Sequence, residues 1–305
     1  ANAALDRRQS RSPRSNPCWR WAAIDMLRQR VITALLLLAV LLPALFYPAI
    51  EPFAALTLLL IVAAGWEWAR LNGVGSRPAL ALGLGLGVVM VGIWLTGGLD
   101  RSWRSVWIGL GVLWVVVAVA MLARGVSGWG SWPKGLRLWL GLVLIGCAWV
   151  AMVQARLTGL GFLLSVLLLV WMADIAAYFG GKSFGRRKLA PGISPGKTWE
   201  GAISGFVGVF VLAACWLWAD ARGMDNATSL YARLWAFGPL LAVLSLAFLV
   251  AMSVAGDLVE SLVKRSAGVK DSSGLLPGHG GVLDRVDALL PVLPVSIALL
   301  SLCHG

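Results

Sequence analysis

Between Asp257 and Asp287 the chain gathers five acidic and four basic residues, although all 305 positions hold only fourteen acidic ones. Carboxylate oxygens hold hard cations such as Mg²⁺, and Lys and Arg offset the charge of phosphate groups. Read as a helix, Gly256–Arg265 puts Asp257, then Glu260 or Ser261, then Lys264 on one face. The same periodicity suits an ordinary solvated helix. A Gly-, Ser- and Pro-rich return over 268–281 then brings Asp284 and Asp287 back to the same end, with Arg285 between them. Asp257 and Asp284 can hold a divalent cation, with Asp287, Ser261, waters or substrate phosphates at further positions. Salt bridges to Lys264, Lys270 or Arg285 are the alternative, and the density of the cluster favours a metal–phosphate site. His279 has two open readings, a hydrogen bond to a phosphate or to Asp284, and a purely structural turn.

A second constellation starts upstream, where Asp174 interrupts an apolar run. An acid at that depth must face protein, water or a cation, so it is either a functional group or a polar lock between helices. The run leads into a basic loop carrying Lys182, Arg186, Arg187, Lys188, Ser194 and Lys197. Its glycines and prolines favour shaped turns whose N–H groups can help hold anions, and the lysines and arginines add charge. Gly196-Lys197-Thr198 has the ending of a P-loop. The full pattern Gly-x-x-x-x-Gly-Lys-Ser/Thr requires Gly at 191, where the chain has Pro, so a Walker-type ATPase is rejected.

The elements that must position these groups are apolar. Hydrophobic residues make up 59% of the chain and charged residues 13%, with mean hydropathy +0.82, the balance of an all-α polytopic membrane protein. About nine spans are expected, at Val31–Tyr47, Phe53–Trp68, Ala79–Thr96, Val106–Leu122, Leu136–Val153, Leu160–Phe179, Ala202–Trp218, Ala236–Gly256 and Ala288–Cys303. Residues 1–25 are polar and rich in Arg, Ser and Pro, so they read as an extension set apart from a single membrane-embedded domain over 26–305. Gly201 and Gly205 form a small-xxx-small pair suited to close helix contact, and Gly83, Gly85 and Gly87 flex or flatten the third span.

With the N-terminus inside, 21 Lys and Arg residues fall on the cytoplasmic side and five opposite; without the first 25 residues the ratio is 16 to five. Both charged segments then share the cytoplasmic face. The net charge of +12 suits anionic headgroups and phosphate-rich substrates. Nucleic acid is the weaker explanation and is not expected as a partner, because the basic residues are spread mainly over membrane-facing loops without a binding motif. The 17 tryptophans suit membrane interfaces. Cys18, Cys147, Cys215 and Cys303 show neither disulfide nor zinc spacing, and His304 beyond the last span has no evident role.

Ser261–Asp287, together with Asp174–Tyr178, the Gly181–Pro191 loop and Ile193–Gly201, resembles the phosphatidate cytidylyltransferases, also called CDP-diglyceride synthases. The resemblance runs over about 26–305, and its C-terminal 27 residues are the most specific part. It implies a multispan transferase of the bacterial cytoplasmic (inner) membrane, its site facing the cytoplasm, that converts CTP and phosphatidic acid into CDP-diacylglycerol and pyrophosphate. It further implies a homodimer among membrane lipids and dependence on Mg²⁺, alone or with a second cation. By motif position, Asp257 and Asp284 are the leading metal ligands, supported by Ser261 and Asp287, with Asp174 a further candidate. Asp257, Lys264, Asp284 and Asp287 form the catalytic set; Lys264, Arg265, Lys270, His279, Arg285 and the 182–197 loop bind phosphates. Two rival classes fit parts of the pattern, another lipid or polyprenol phosphotransferase and a solute transporter, the latter without an inverted repeat to support it.

Overall fold

A computed structural model describes residues 17–223 and 229–303. Residues 1–16 of the expected extension, and His304, lie outside the described residues; helix α1 begins at Pro17. In chain order the elements are α1 Pro17–Phe46, α2 Glu51–Leu71, α3 Ser76–Leu95, α4 Arg104–Trp129, α5 Lys134–Thr158, α6 Leu160–Phe184, β1 Lys188–Ala190, β2 Ser194–Thr198, α7 Trp199–Asp220, α8 Leu230–Ala236, α9 Pro239–Ser266, α10 Leu283–Val286 and α11 Leu289–Cys303. Among the described residues, eight spans are long and apolar enough to cross a bilayer, with α10 and α11 counted together as Leu283–Leu302; the apolar part of α1, Val31–Phe46, is shorter. These coincide with the nine expected runs, and the protein is a predominantly α-helical, multi-pass membrane protein.

Three local features extend or refine the expected pattern. Helix α9 continues past its apolar run to Ser266, so the charged face from Asp257 to Arg265 forms the last turns of a spanning helix. The basic loop folds into an antiparallel hairpin, pairing Lys188 with Thr198 and Ala190 with Ser194 around a turn closed by the Ile193 N–H on the Ala190 carbonyl. Pro191 and Gly192 occupy that turn, where neither interrupts a ladder. Between α7 and α9, the short α8 is capped by Ser229 and docks on α6, with Leu230 N–H donating to Ser165 Oγ at 2.8 Å and Tyr231 OH to the Ser165 carbonyl at 3.0 Å.

Helix α11 is central, packing against α4, α5 and α9, with Val292 and Leu293 fully buried. Large apolar residues such as Leu35, Leu84, Val88, Val116 and Leu240 point outward, as they must where the solvent is lipid. Helix contact inside a bilayer therefore depends on close packing, and it is closest between α6 and α7. A Cβ on Gly201 would lie 2.8 Å from the Ala177 carbonyl oxygen, and one on Gly205 would lie 2.9 Å from that of Ala173. The two backbones touch where Asp174 projects.

Gly205→Leu should push α7 off α6 and lower stability by roughly 1–3 kcal/mol, the usual cost of overpacking. Gly109→Leu, where a Cβ meets nothing within 4 Å, serves as the control. Thermal unfolding in detergent should separate the two; equal midpoints would refute the close contact.

Candidate active site where α6, α7, α9 and the hairpin meet

The end of α6, the hairpin, the start of α7 and the last turns of α9 enclose a cleft of about 460 Å³. That volume is within the range of small-molecule sites. Its polar lining includes Asp174, Lys182, Ser194, Lys197 and Asp257, interspersed with Tyr178, Leu189 and Val254. Local chemistry fixes the walls. Thr198 caps α7 by accepting from the Gly201 N–H at 3.1 Å, and Glu200 on the first turn accepts from the N–H groups of Arg186 at 3.0 Å and Arg187 at 3.2 Å. The start of α7 is thereby tied to the loop in front of the hairpin.

Within the cleft, Lys197 Nζ stands 2.5 Å from Asp257 Oδ2, while Ser261 Oγ donates to Asp257 Oδ1 at 3.2 Å. Asp174 lies within electrostatic reach of both Asp257 and Lys197. Asp287, whose Oδ1 accepts from the Ala288 N–H at 2.8 Å, is within electrostatic reach of Asp257, Asp174 and Lys264. The two segments singled out in the sequence, some sixty residues apart, thus meet through a lysine from the hairpin and an aspartate from α9.

A second polar network adjoins this one. Lys264 forms a one-turn ion pair with the buried Glu260 and reaches Asp284 Oδ1 at 2.6 Å, joining α9 to α10. Asp284 Oδ2 accepts from Gly281 N–H at 2.7 Å and from both the N–H and Oγ of Ser272 at 2.9 Å. Arg285 donates to the His279 carbonyl and Arg265 to the Val269 carbonyl, both binding the loop to itself. Among the described residues, His279 Nδ1 is buried without a hydrogen-bond partner.

The residue that sequence reasoning missed is Glu67, near the end of α2. It is fully buried, and its carboxylate accepts from Ser273 Oγ at 2.5 Å, Val282 N–H at 3.0 Å and Leu283 N–H at 2.7 Å, with Ser272 Oγ 3.1 Å away. Ser272 Oγ therefore stands between the carboxylates of Glu67 and Asp284. The neighbouring Trp68 fixes α2 from the other side, donating to the Arg137 carbonyl at 3.0 Å across Gly141, where any Cβ would collide with the indole.

Of the residues expected at a phosphate site, Lys182, Ser194 and Lys197 line the cleft. Arg186 and Arg187 line an adjoining recess with Trp199 and Glu200. Lys188 and Lys270 are exposed, and neither they nor Arg265 and Arg285 line the cleft. Among the described residues, no three His, Cys, Asp or Glu side chains converge as a coordination cage. The donor types do fit a hard cation. Asp174, Asp257, Asp287 and Ser261 offer oxygen, and with Glu260 and Asp284 the carboxylates outnumber the lysines, Lys197 and Lys264, that face them.

The model of the cytidylyltransferase family matches residues 28–303. Proteins named phosphatidate cytidylyltransferase are similar over most of their length. The one from Pseudomonas aeruginosa is 40% identical over 281 residues, 90% of this chain and 97% of its own. The chain belongs to the phosphatidate cytidylyltransferase family. Its similarity to the Haemophilus influenzae member is 38% over 298 residues, covering 88% of this chain and 96% of that one. The Staphylococcus aureus member is 30% identical over 275 residues, covering 88% and 97%. Membership of this family of enzymes covers the cleft, the Glu67 network and every spanning helix together.

Glu67→Gln removes an acceptor shared by buried donors and should cost at least about 2 kcal/mol of stability. In the same thermal assay Glu51→Gln, at an exposed position, should change little. Indistinguishable midpoints would mean the loop is held by something other than Glu67.

Proposed function

We propose that the protein transfers the CMP moiety of CTP to phosphatidic acid, releasing CDP-diacylglycerol and pyrophosphate, at the cleft between α6, α7, α9 and the hairpin. The observation that carries this reading is the cleft itself, in which Lys182, Lys197, Asp174 and Asp257 share the lining with Tyr178, Leu189 and Val254 at one end of a membrane bundle. A lipid phosphate and a nucleotide need such a site, with charged and apolar groups side by side. We assign it to the cytoplasmic face of the bacterial inner membrane, following the distribution of Lys and Arg, and take the protein as a homodimer.

The reaction is a direct displacement. A phosphate oxygen of phosphatidic acid attacks the α-phosphorus of CTP, forming one P–O bond, while the bond to the β-phosphate oxygen breaks and its electron pair leaves with pyrophosphate. The attacking oxygen is already anionic, so no protein nucleophile is required. The difficulty is bringing two polyanions together in the right orientation. Lys197 and Lys182 offset charge on the phosphates, and Ser194 donates a hydrogen bond to them. Lys264, set between Glu260 and Asp284, positions the α9 and α10 carboxylates. Asp257, Ser261, Asp284 and Asp287 would hold Mg²⁺, alone or with a second cation, and Asp174 closes the same face. When bound, the cation supplies charge neutralisation on the phosphates in the transition state.

Purified protein in liposomes with CTP, Mg²⁺ and phosphatidic acid should release CDP-diacylglycerol and pyrophosphate in equal amounts. Neither product, under conditions shown to present the lipid, would overturn the reading; turnover of a different lipid acceptor would reassign the substrate. Lys197→Ala should lower kcat/KM by about 10²–10³-fold without preventing folding. Chelation with EDTA should abolish turnover, and Mg²⁺ should restore it.

A further inference from the structure

The opposite end of the bundle holds a second cavity of about 490 Å³, between the α3–α4 turn, the first turn of α4 and the C-terminal ends of α5 and α11. Helix α5 places it. The start of α5 meets Trp68 beside Glu67, and its last turn lines this cavity. From Arg137 to Thr158, at about 1.5 Å per residue, the helix separates the two by roughly 31 Å, about the hydrocarbon depth of a bilayer.

The cavity is a built structure. Gln154 on α5 donates to the carbonyls of Leu99 at 3.1 Å and Arg101 at 3.0 Å, and accepts from Trp107 Nε1 at 3.0 Å. Trp103 Nε1 donates to the Gly98 carbonyl at 2.6 Å. These bonds fix the turn that carries Arg101 and Arg104. Both arginines are exposed and line the cavity, and among the described residues neither guanidinium has an ion pair or hydrogen bond. Ile297, buried, and Leu300, half-buried, give it an apolar floor, with Leu157 exposed beside them.

Guanidinium groups over an apolar floor, beside two indoles at the end of a membrane bundle, have the chemistry of a phospholipid headgroup site. Arginine suits a phosphate diester, tryptophan sits at headgroup level, and the floor receives the first methylenes of the acyl chains. Asp100 on the rim can accept from a hydroxyl or ammonium of the headgroup. We infer that this cavity binds the phosphate of a membrane phospholipid on the face away from the active site, bracing the α3–α4 turn against α5 and α11. The inference depends on the bundle geometry and is independent of the proposed reaction.

The test uses the full-length protein, stripped of lipid in detergent. Short-chain phosphatidylglycerol should raise Tm by about 3 °C or more; diacylglycerol, which lacks the phosphate, and inorganic phosphate, which lacks the chains, should each give less than half that rise. Arg101→Gln/Arg104→Gln should keep the lipid-free Tm and lose most of the rise, Arg101→Lys/Arg104→Lys should recover part of it, and Arg77→Ala should behave as the parent. Retention of the full rise by the double Gln variant would overturn the site. An equal rise with inorganic phosphate alone would overturn the lipid assignment. If the Gln variant does not fold, failure of phosphatidylglycerol to outperform diacylglycerol on the parent protein overturns the proposal by itself.

Discussion

A buried carboxylate must find hydrogen-bond donors, and buried backbone N–H groups must find acceptors. Glu67 and the 272–283 segment answer each other's requirement. In an apolar bundle each would be costly alone, since unpaired polar groups have no water to turn to. Through Ser272 the same contact reaches Asp284, and through Asp284 it reaches Lys264 on α9. The position of α10, and with it Asp287, follows from a residue on α2 that lies outside the cleft lining.

The carboxylates and lysines at the site follow a related rule. Partly buried ion pairs contribute little net stability, because desolvation offsets much of their attraction. Lys197 against Asp257, and Lys264 against Glu260 and Asp284, are therefore poor explanations of why the fold is stable and better explanations of how its charges are kept in place. Stability comes from elsewhere, from α11 at the centre and from the glycine contact of α6 with α7.

Much of this was legible in the chain. Apolar runs near bilayer length located the spanning helices, and the three- and four-residue spacing from Asp257 to Lys264 correctly placed Ser261 beside Asp257. The density of charge after α6 and α9 pointed to two segments that do meet. Glu67 escaped notice because its partners lie more than two hundred positions away, where no local pattern reaches. A signal was present all the same: Glu67 falls inside the expected span Phe53–Trp68, and the argument that made Asp174 conspicuous applies equally to it. The hairpin and α8 were hidden for a different reason, since short elements beside Pro and Gly take their shape from what they dock against. Arg265 and Arg285 both donate to carbonyl oxygens of their own loop, contacts that charge patterning alone does not reveal.

The backbone contact between α6 and α7 sets the gauge of the cleft. At Gly201 and Gly205 no side chain separates the helices, so no substitution there can draw them closer, and any larger residue pries them apart. One jaw of the cleft is therefore of fixed width, like the stationary arm of a caliper. Any change in the width of the cleft falls to the other jaw, where Val254 on α9 lines the gap, so on the proposed reading a change of substrate range in evolution begins on that helix.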